Sequence, residues 1–211
     1  MEVQQLPRGR HRLAREEVLA SQRGRLLVAM SEAVAERGYA KTSVAEVLKR
    51  ARVSRETFYE HFENKEHCFN AAYDGAAALL AAEIGSGLAA SSEERDVAQR
   101  LNDLVSRYLT TLQEEPALAR TFLVEVYAAG PAALERRVEV QNRFVDLVSF
   151  IAGAKDERQR FACEAVVAAV SALVTQRVCA GQTDELTQLK GPLADLVADL
   201  LDAVGLGSGA N

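Results

Sequence analysis

Apolar residues recur along this chain at spacings of three and four and never in strict alternation, so the pattern predicts helices throughout. The first runs from about Gln22 to Glu36, with Leu26, Leu27, Met30, Ala33 and Val34 on one side and Gly38 as its stop. Ser43-Val44-Ala45-Glu46 fits a capping box that opens a second helix, ending near Arg50. After Ala51-Arg52-Val53, Ser54 can cap a third helix reaching His61, and Asn64 a fourth running from Lys65 to about Ile84. Gly85, Gly87, Ser91 and Ser92 predict a loop, and Ser91 with Glu94 a second capping box. Helices five to seven then run to about Glu115, Ala129 and Ala152, separated by Pro116 and Gly130-Pro131. Helix eight spans roughly Asp156 to Ala180, residues 184–190 form a short helical turn, and helix nine runs from Pro192 to Gly205. The expected fold is all-α, with about nine helices and no internal repeat.

Helices two and three are too short to persist alone in water, so tertiary packing must hold them. Val44, Val47, Leu48, Val53, Phe58 and Phe62 supply that packing together with helix one. Two short helices, a three-residue connection and a supporting helix make a helix-turn-helix, at about residues 43–62, whose second helix fits a DNA major groove. At about 100° per residue, Phe58, Phe62 and Ser54 share the inner side of helix three. Glu56 and Glu60 fall opposite, Tyr59 and Thr57 on the flanks, Arg55 and His61 at the seams. The outward side therefore carries groups suited to base edges and phosphates. Two carboxylates there oppose phosphates. Glu56, in the first turn, can accept from cytosine N4 and is assigned to base readout, while Glu60 is read as solvated.

Charge sharpens this picture. The 211-residue chain has a net charge of −5. Residues 1–70 carry 13 Lys/Arg against 10 Asp/Glu, whereas the remainder carries 12 against 20. A basic segment joined to an acidic one points to a polyanion partner for the first only. Residues 1–20 read as a basic arm, in which Arg8, Arg10 and Arg12 can follow a minor groove. No secretory signal or membrane span is expected, the apolar stretch Phe161 to Val174 being too short to cross a bilayer. Three scattered cysteines, Cys68, Cys163 and Cys179, read as free thiols in a reducing cytoplasm. No glycine-rich phosphate loop, nucleophile elbow or HExxH is present, so no enzyme is expected. His67 and Cys68 are adjacent and diverge on their helix, with no fourth ligand near them and His61, so no metal or other cofactor is expected.

The segment Gly24 to Asp74, including "AVAERGYAKTSVAEVLKRARVSRETFYEHFENKEHCFNAAY", resembles the DNA-binding domain of the TetR family of transcriptional regulators. Gly38-Tyr39, Thr42-Ser43, Val53-Ser54, Phe58-Tyr59, His61-Phe62 and Lys65-Glu66 carry the likeness, over about a quarter of the chain. The resemblance implies that Tyr59, His61 and Lys65 contact phosphates, that Thr42 and Ser43 touch the DNA backbone, and that Arg55 and Thr57 read bases. Ser54 and Arg52 belong to the same surface. Arg52 stands where the family usually has glycine, and a left-handed backbone there would cost arginine about 1 kcal/mol or more, so either the turn is reshaped or a phosphate contact of Arg52 offsets the strain.

The resemblance also implies the division 1–20 arm, 21–70 DNA-binding domain, 71–205 ligand-binding and dimerisation domain, and 206–211 flexible tail. Helix eight is apolar on all sides and so must be buried on all sides. Helix nine adds a broad apolar stripe. The expected partner is a second copy, through Phe161, Val166, Val170, Leu173, Val174, Leu196, Val197 and Leu200. Helices four to seven would enclose an effector pocket, with Tyr73, Tyr108, Phe122, Tyr127 and Phe144 in its wall and Arg107, Glu125 and Asn142 as polar contacts; Phe150 is a further wall candidate. The function expected is a cytoplasmic, ligand-responsive transcriptional repressor, a homodimer on a pseudo-palindromic double-stranded operator, released by a small molecule. The alternative is a helical small-molecule-binding protein without DNA binding.

Overall fold

The first long helix, α1 (Arg15–Arg37), is shared by the two halves of the molecule. Leu26, Met30, Ala33 and Val34 are fully buried along it. It packs on α2 (Val44–Ala51) and α3 (Arg55–His61) on one side, and on α4 (Lys65–Ala90) and α6 (Pro116–Leu123) on the other. Next come α5 (Val97–Glu114), a 3-10 turn at Glu125–Ala128, α7 (Pro131–Ala152) and α8 (Glu157–Cys179). A second 3-10 stretch, Thr183–Leu189, leads into α9 (Lys190–Asp202). This computed structural model describes residues 15–90 and 96–206, and among them there is no strand. Arg8, Arg10, Arg12, His11, the Ser91–Glu94 capping box and residues 207–211 lie outside the described residues.

Three boundaries differ from the sequence reading. α1 begins at Arg15 rather than near Gln22, because Arg15-Glu16-Glu17 and Leu19-Ala20 are good helix formers; the predicted arm therefore ends earlier. α4 continues through Gly85 to Ala90. Alanines dominate that helix and offset the roughly 1 kcal/mol that a helical glycine costs. α6 stops at Leu123, and the chain tightens into the 3-10 turn that presents Glu125.

Caps and ion pairs fix the small helices. The Ser43 hydroxyl accepts from the Glu46 amide at 3.2 Å and the Ser54 hydroxyl from the Thr57 amide at 3.0 Å. The Ser43 box is only half made. The Glu46 carboxylate turns instead to Arg50 at 3.3 Å and Arg37 at 3.6 Å. Arg50 also forks onto Glu36 of α1, and this hydrogen bond holds the Glu36 carboxyl below its usual range. From α1, Arg25 donates to the Ala51 carbonyl at 3.1 Å, capping the carboxyl end of α2. Beneath the caps lie Val47 and Phe58, fully buried, and Phe62, whose ring sits 5.7 Å from that of Phe58.

Arg52 adopts φ 53° and ψ 48°, the left-handed conformation, and it closes α2 by donating its amide to the Leu48 carbonyl. It is the one non-glycine residue with positive φ among those described. The turn is thus retained at the expense of the Cβ strain that arginine meets there. Arg52→Gly is expected to raise stability by about 0.5–1 kcal/mol, read as a higher urea midpoint at unchanged slope. A lower midpoint would mean that the arginine side chain contributes more than its backbone strain costs.

Candidate functional site

Because Phe58 and Phe62 point inward, the opposite side of α3 faces out. Arg55, Glu56, Tyr59 and Glu60 are exposed, Tyr59 by 47% despite its ring. Arg55 Nη2 lies 3.5 Å from the Tyr59 hydroxyl and its guanidinium 5.6 Å from the Tyr59 ring centre, so the two side chains stand together. The Thr57 and Ser54 hydroxyls are 2.9 Å apart. Ser43, Lys41, Lys49 and Arg52 are exposed around the same two helices. This surface offers hydroxyls, guanidinium forks and ammonium groups, the donors that phosphates and guanine edges accept from.

Three residues assigned to this surface sit differently. Thr42 is 2% exposed, and its hydroxyl donates inward to the Gly38 carbonyl at 2.9 Å. His61 is half-buried, with Nε2 buried and unpaired among the described residues, so that nitrogen does not face outward. Lys65 is drawn inward. Its ammonium donates to the Tyr39 carbonyl at 3.0 Å and lies 4.0 Å from the Tyr39 ring centre, and burial lowers its pKa.

Tyr39 is a joint. Its amide donates to Glu125 Oε2 at 2.8 Å, and Glu125 Oε1 accepts from Arg120 at 3.1 Å. Glu125 is only 7% exposed, so both bonds are needed to keep its charge there. Gly38, at φ +82°, passes so close that a Cβ would stand 3.4 Å from the same carboxylate. The Tyr39 ring packs edge-on against Phe69 of α4, 5.0 Å between centres. The expected role of Glu125 as a pocket contact is therefore corrected: it ties the turn before α2 to the α6–α7 connection.

Behind this joint, α4 to α9 surround a slot-like cavity. Tyr73, Tyr108, Phe122 and Phe144 line it, with Leu101, Leu104, Val105, Val140, Val148, Val166, Val170 and Val197. Its volume is about 60 Å³, and it is narrow and almost wholly apolar. Arg137, Gln141 and Ser171 are the polar residues of its wall, with the tyrosine hydroxyls. Arg107 lies elsewhere, in a polar surface cleft with Glu83 and Asp103. Asn142 is exposed on the outer side of α7. Tyr127 is 55% exposed with Arg137 packed over its ring, and Phe150 is 79% exposed. Aromatic type alone misled here, because the cavity wall is mostly valine and leucine. An available signal was Arg137, set within the α7 stripe Ala133, Val140, Phe144, Val148 that otherwise faces the core.

α8 divides into two faces, one of them buried within this chain. Cys163, Val166, Val170, Val174 and Val178, at helical spacing, face the chain's own core, as does Val197 of α9. Those valines are therefore not available to a second copy. Phe161 is 69% and Leu173 40% exposed, while Leu196 and Leu200 are half-buried. By length and composition alone α8 is long and apolar enough to cross a membrane, as core helices can also be, and 22% of its apolar window is buried within this chain.

Residues 26–72 match the family model for "Bacterial regulatory proteins, tetR family". The HTH-type transcriptional activator FasR of Mycolicibacterium smegmatis is 27% identical over 162 residues, spanning 75% of this chain and 71% of that protein. The fatty acid degradation regulator FadR from Bacillus halodurans superposes with a TM-score of 0.74 at 22% identity, over 87% of this chain and 96% of that one. FadR from Bacillus subtilis, solved in complex with stearoyl-CoA, gives 0.73 at 19% identity, over 82% and 96%. At such identities the two structures speak for the fold.

Glu125→Ala is expected to lower stability by about 1–3 kcal/mol, since it leaves the Tyr39 amide without its acceptor, whereas Glu125→Gln costs less by keeping an oxygen there. Equal urea midpoints for the alanine variant and the parent would contradict the joint.

Proposed function

Since the chain belongs to the tetR family of bacterial regulatory proteins and is a DNA-binding transcriptional regulator, we propose that it works as a ligand-released repressor, a homodimer acting in the cytoplasm on a pseudo-palindromic operator. The observation that carries this reading is the outward face of α3, with Tyr59 and Arg55 paired and exposed above the buried Phe58 and Phe62. Arg55 and Thr57 read base edges, assisted by Glu56. Tyr59, Ser43, Ser54 and Arg52 hold phosphates, and Lys65 and Thr42 serve by fixing the turn at Tyr39. Residues 21–70 are the DNA-binding domain and 71–205 the effector and dimerisation domain. Arg8, Arg10 and Arg12 of the preceding arm follow the minor groove.

The second copy covers α8. Phe161 and Leu173 anchor the contact, and Ala165, Ala168, Ala169 and Ala172 between them let two helices approach closely, with Leu196 and Leu200 of α9 at the margin. The apolar slot takes the effector. B. subtilis FadR holds stearoyl-CoA, and the hydrocarbon lining here suits a long acyl chain of the same kind. Phe122 stacks on Tyr73 at 5.1 Å within that lining, three residues before Glu125. A ligand that displaces this pair shifts α6, and Glu125 carries the shift to Tyr39 and α2. The coupling required is of the ordinary allosteric size, about 1–3 kcal/mol.

Fluorescence anisotropy with the chain's own upstream DNA tests the interface. Tyr59→Ala should weaken binding roughly tenfold on every sequence alike, and Arg55→Ala should cost about 1–3 kcal/mol and relax preference at one base pair. Wild-type affinity in both variants would remove α3 from the interface. For the dimer, Phe161→Glu with Leu173→Glu should yield monomers by light scattering and lose operator binding. A stable dimer of that double variant would move the contact off α8. Deleting the chain should raise a reporter driven by the operator; a fall would make it an activator, as FasR is.

A further inference from the structure

The slot is polarised. Toward Leu104, Val105 and Val197 its wall is hydrocarbon, whereas at Arg137 it gathers donors. The Tyr73 hydroxyl is fully buried and has no hydrogen-bond partner among the described residues. Among the described residues Arg137 has no carboxylate partner; it donates to Gln141 Oε1 at 2.6 Å and weakly to Ser171 Oγ at 3.4 Å. A guanidinium carries five N–H groups, so several remain, and the tyrosine adds an O–H. Burial raises the pKa of Tyr73 and of Tyr108, keeping both protonated, and the nearby Arg137 charge partly opposes that rise. The corner thus has donors in excess, a half-buried guanidinium resting on the Tyr127 ring and a fully buried tyrosine hydroxyl left unsatisfied, which is costly in an apolar wall.

We propose that Arg137 and the Tyr73 hydroxyl form a seat inside the slot for the acyl oxygen of the effector, a carboxylate or an acyl carbonyl, with the hydrocarbon tail extending toward Val197. The seat excludes ammonium heads by like charge and gives amphiphiles with an acceptor head their advantage over plain hydrocarbons. This rests on the slot being the effector site. An acid and a thioester share the acyl oxygen, and they differ in whether its charge is full.

The test titrates the full-length protein with palmitate, palmitoyl-CoA and hexadecylamine, and with the headless dye aminoanthracene. Wild type should bind the dye and at least one palmitoyl probe, and prefer it to the amine. Arg137→Gln should weaken the palmitoyl probe about 10- to 100-fold and Tyr73→Phe about 3- to 10-fold, both leaving the dye within about twofold. Retained dye binding certifies that the variants fold. A loss larger for palmitate than for the thioester assigns a carboxylate seat; equal losses assign the acyl carbonyl. If the dye and every palmitoyl probe fail on wild type, the slot is not the effector site. If they bind and neither substitution discriminates head from headless probe, the seat is overturned while the slot reading stands.

Discussion

Two phenylalanines beneath a seven-residue helix set the rest of this structure. α3 cannot persist alone, and its backbone exists because Phe58 and Phe62 are buried against α1 and the residues that follow. Removing either ring would cost about 3–5 kcal/mol, a large part of the stability of an ordinary domain. Their burial fixes the rotation of α3, and that rotation places Arg55 and Tyr59 outward. The outward face is thus a consequence of packing on its reverse side. The caps at Ser43 and Ser54, the Arg25 cap on α2 and the left-handed Arg52 hold two short helices at the angle this packing demands.

The same logic extends through α1 to the other helices. α1 contributes one side to the small helices and another to α4 and α6, so the halves share a core rather than meeting at a linker. The Glu125–Tyr39 bond crosses between them at the turn where Gly38 holds a positive φ. A buried carboxylate held by one amide and one arginine has few alternative partners, so it ties the end of α6 to the turn before α2. Lys65 locks the same turn from α4.

Much of this was legible in the sequence, and the reasons are physical. The helices follow from apolar spacing, and the short pair from its caps and its three-residue turn. The resemblance pointed to the turn at Arg52 but left open whether it is reshaped; the structure keeps it left-handed, and the strain attached to it is a property of the Cβ. Other features depended on three dimensions. Lys65 and Thr42 look like surface donors until the Tyr39 and Gly38 carbonyls are seen beside them. Glu125 looks like a pocket acid until its long-range partner, 86 residues away, is known. In α8 the composition is apolar all round, and only the placement of α7 and α9 decides that the valines face inward while Phe161 and Leu173 face out.

The central claim is that the outward face of α3 docks in a major groove, twice per dimer. Selection of bound duplexes from a random pool, followed by hydroxyl-radical footprinting of the winners, addresses it directly. The account predicts inverted half-sites, with protection on one face of the duplex at a spacing of about one helical turn or a multiple of it. A pool that enriches no symmetric sequence, or protection without that spacing, would contradict it.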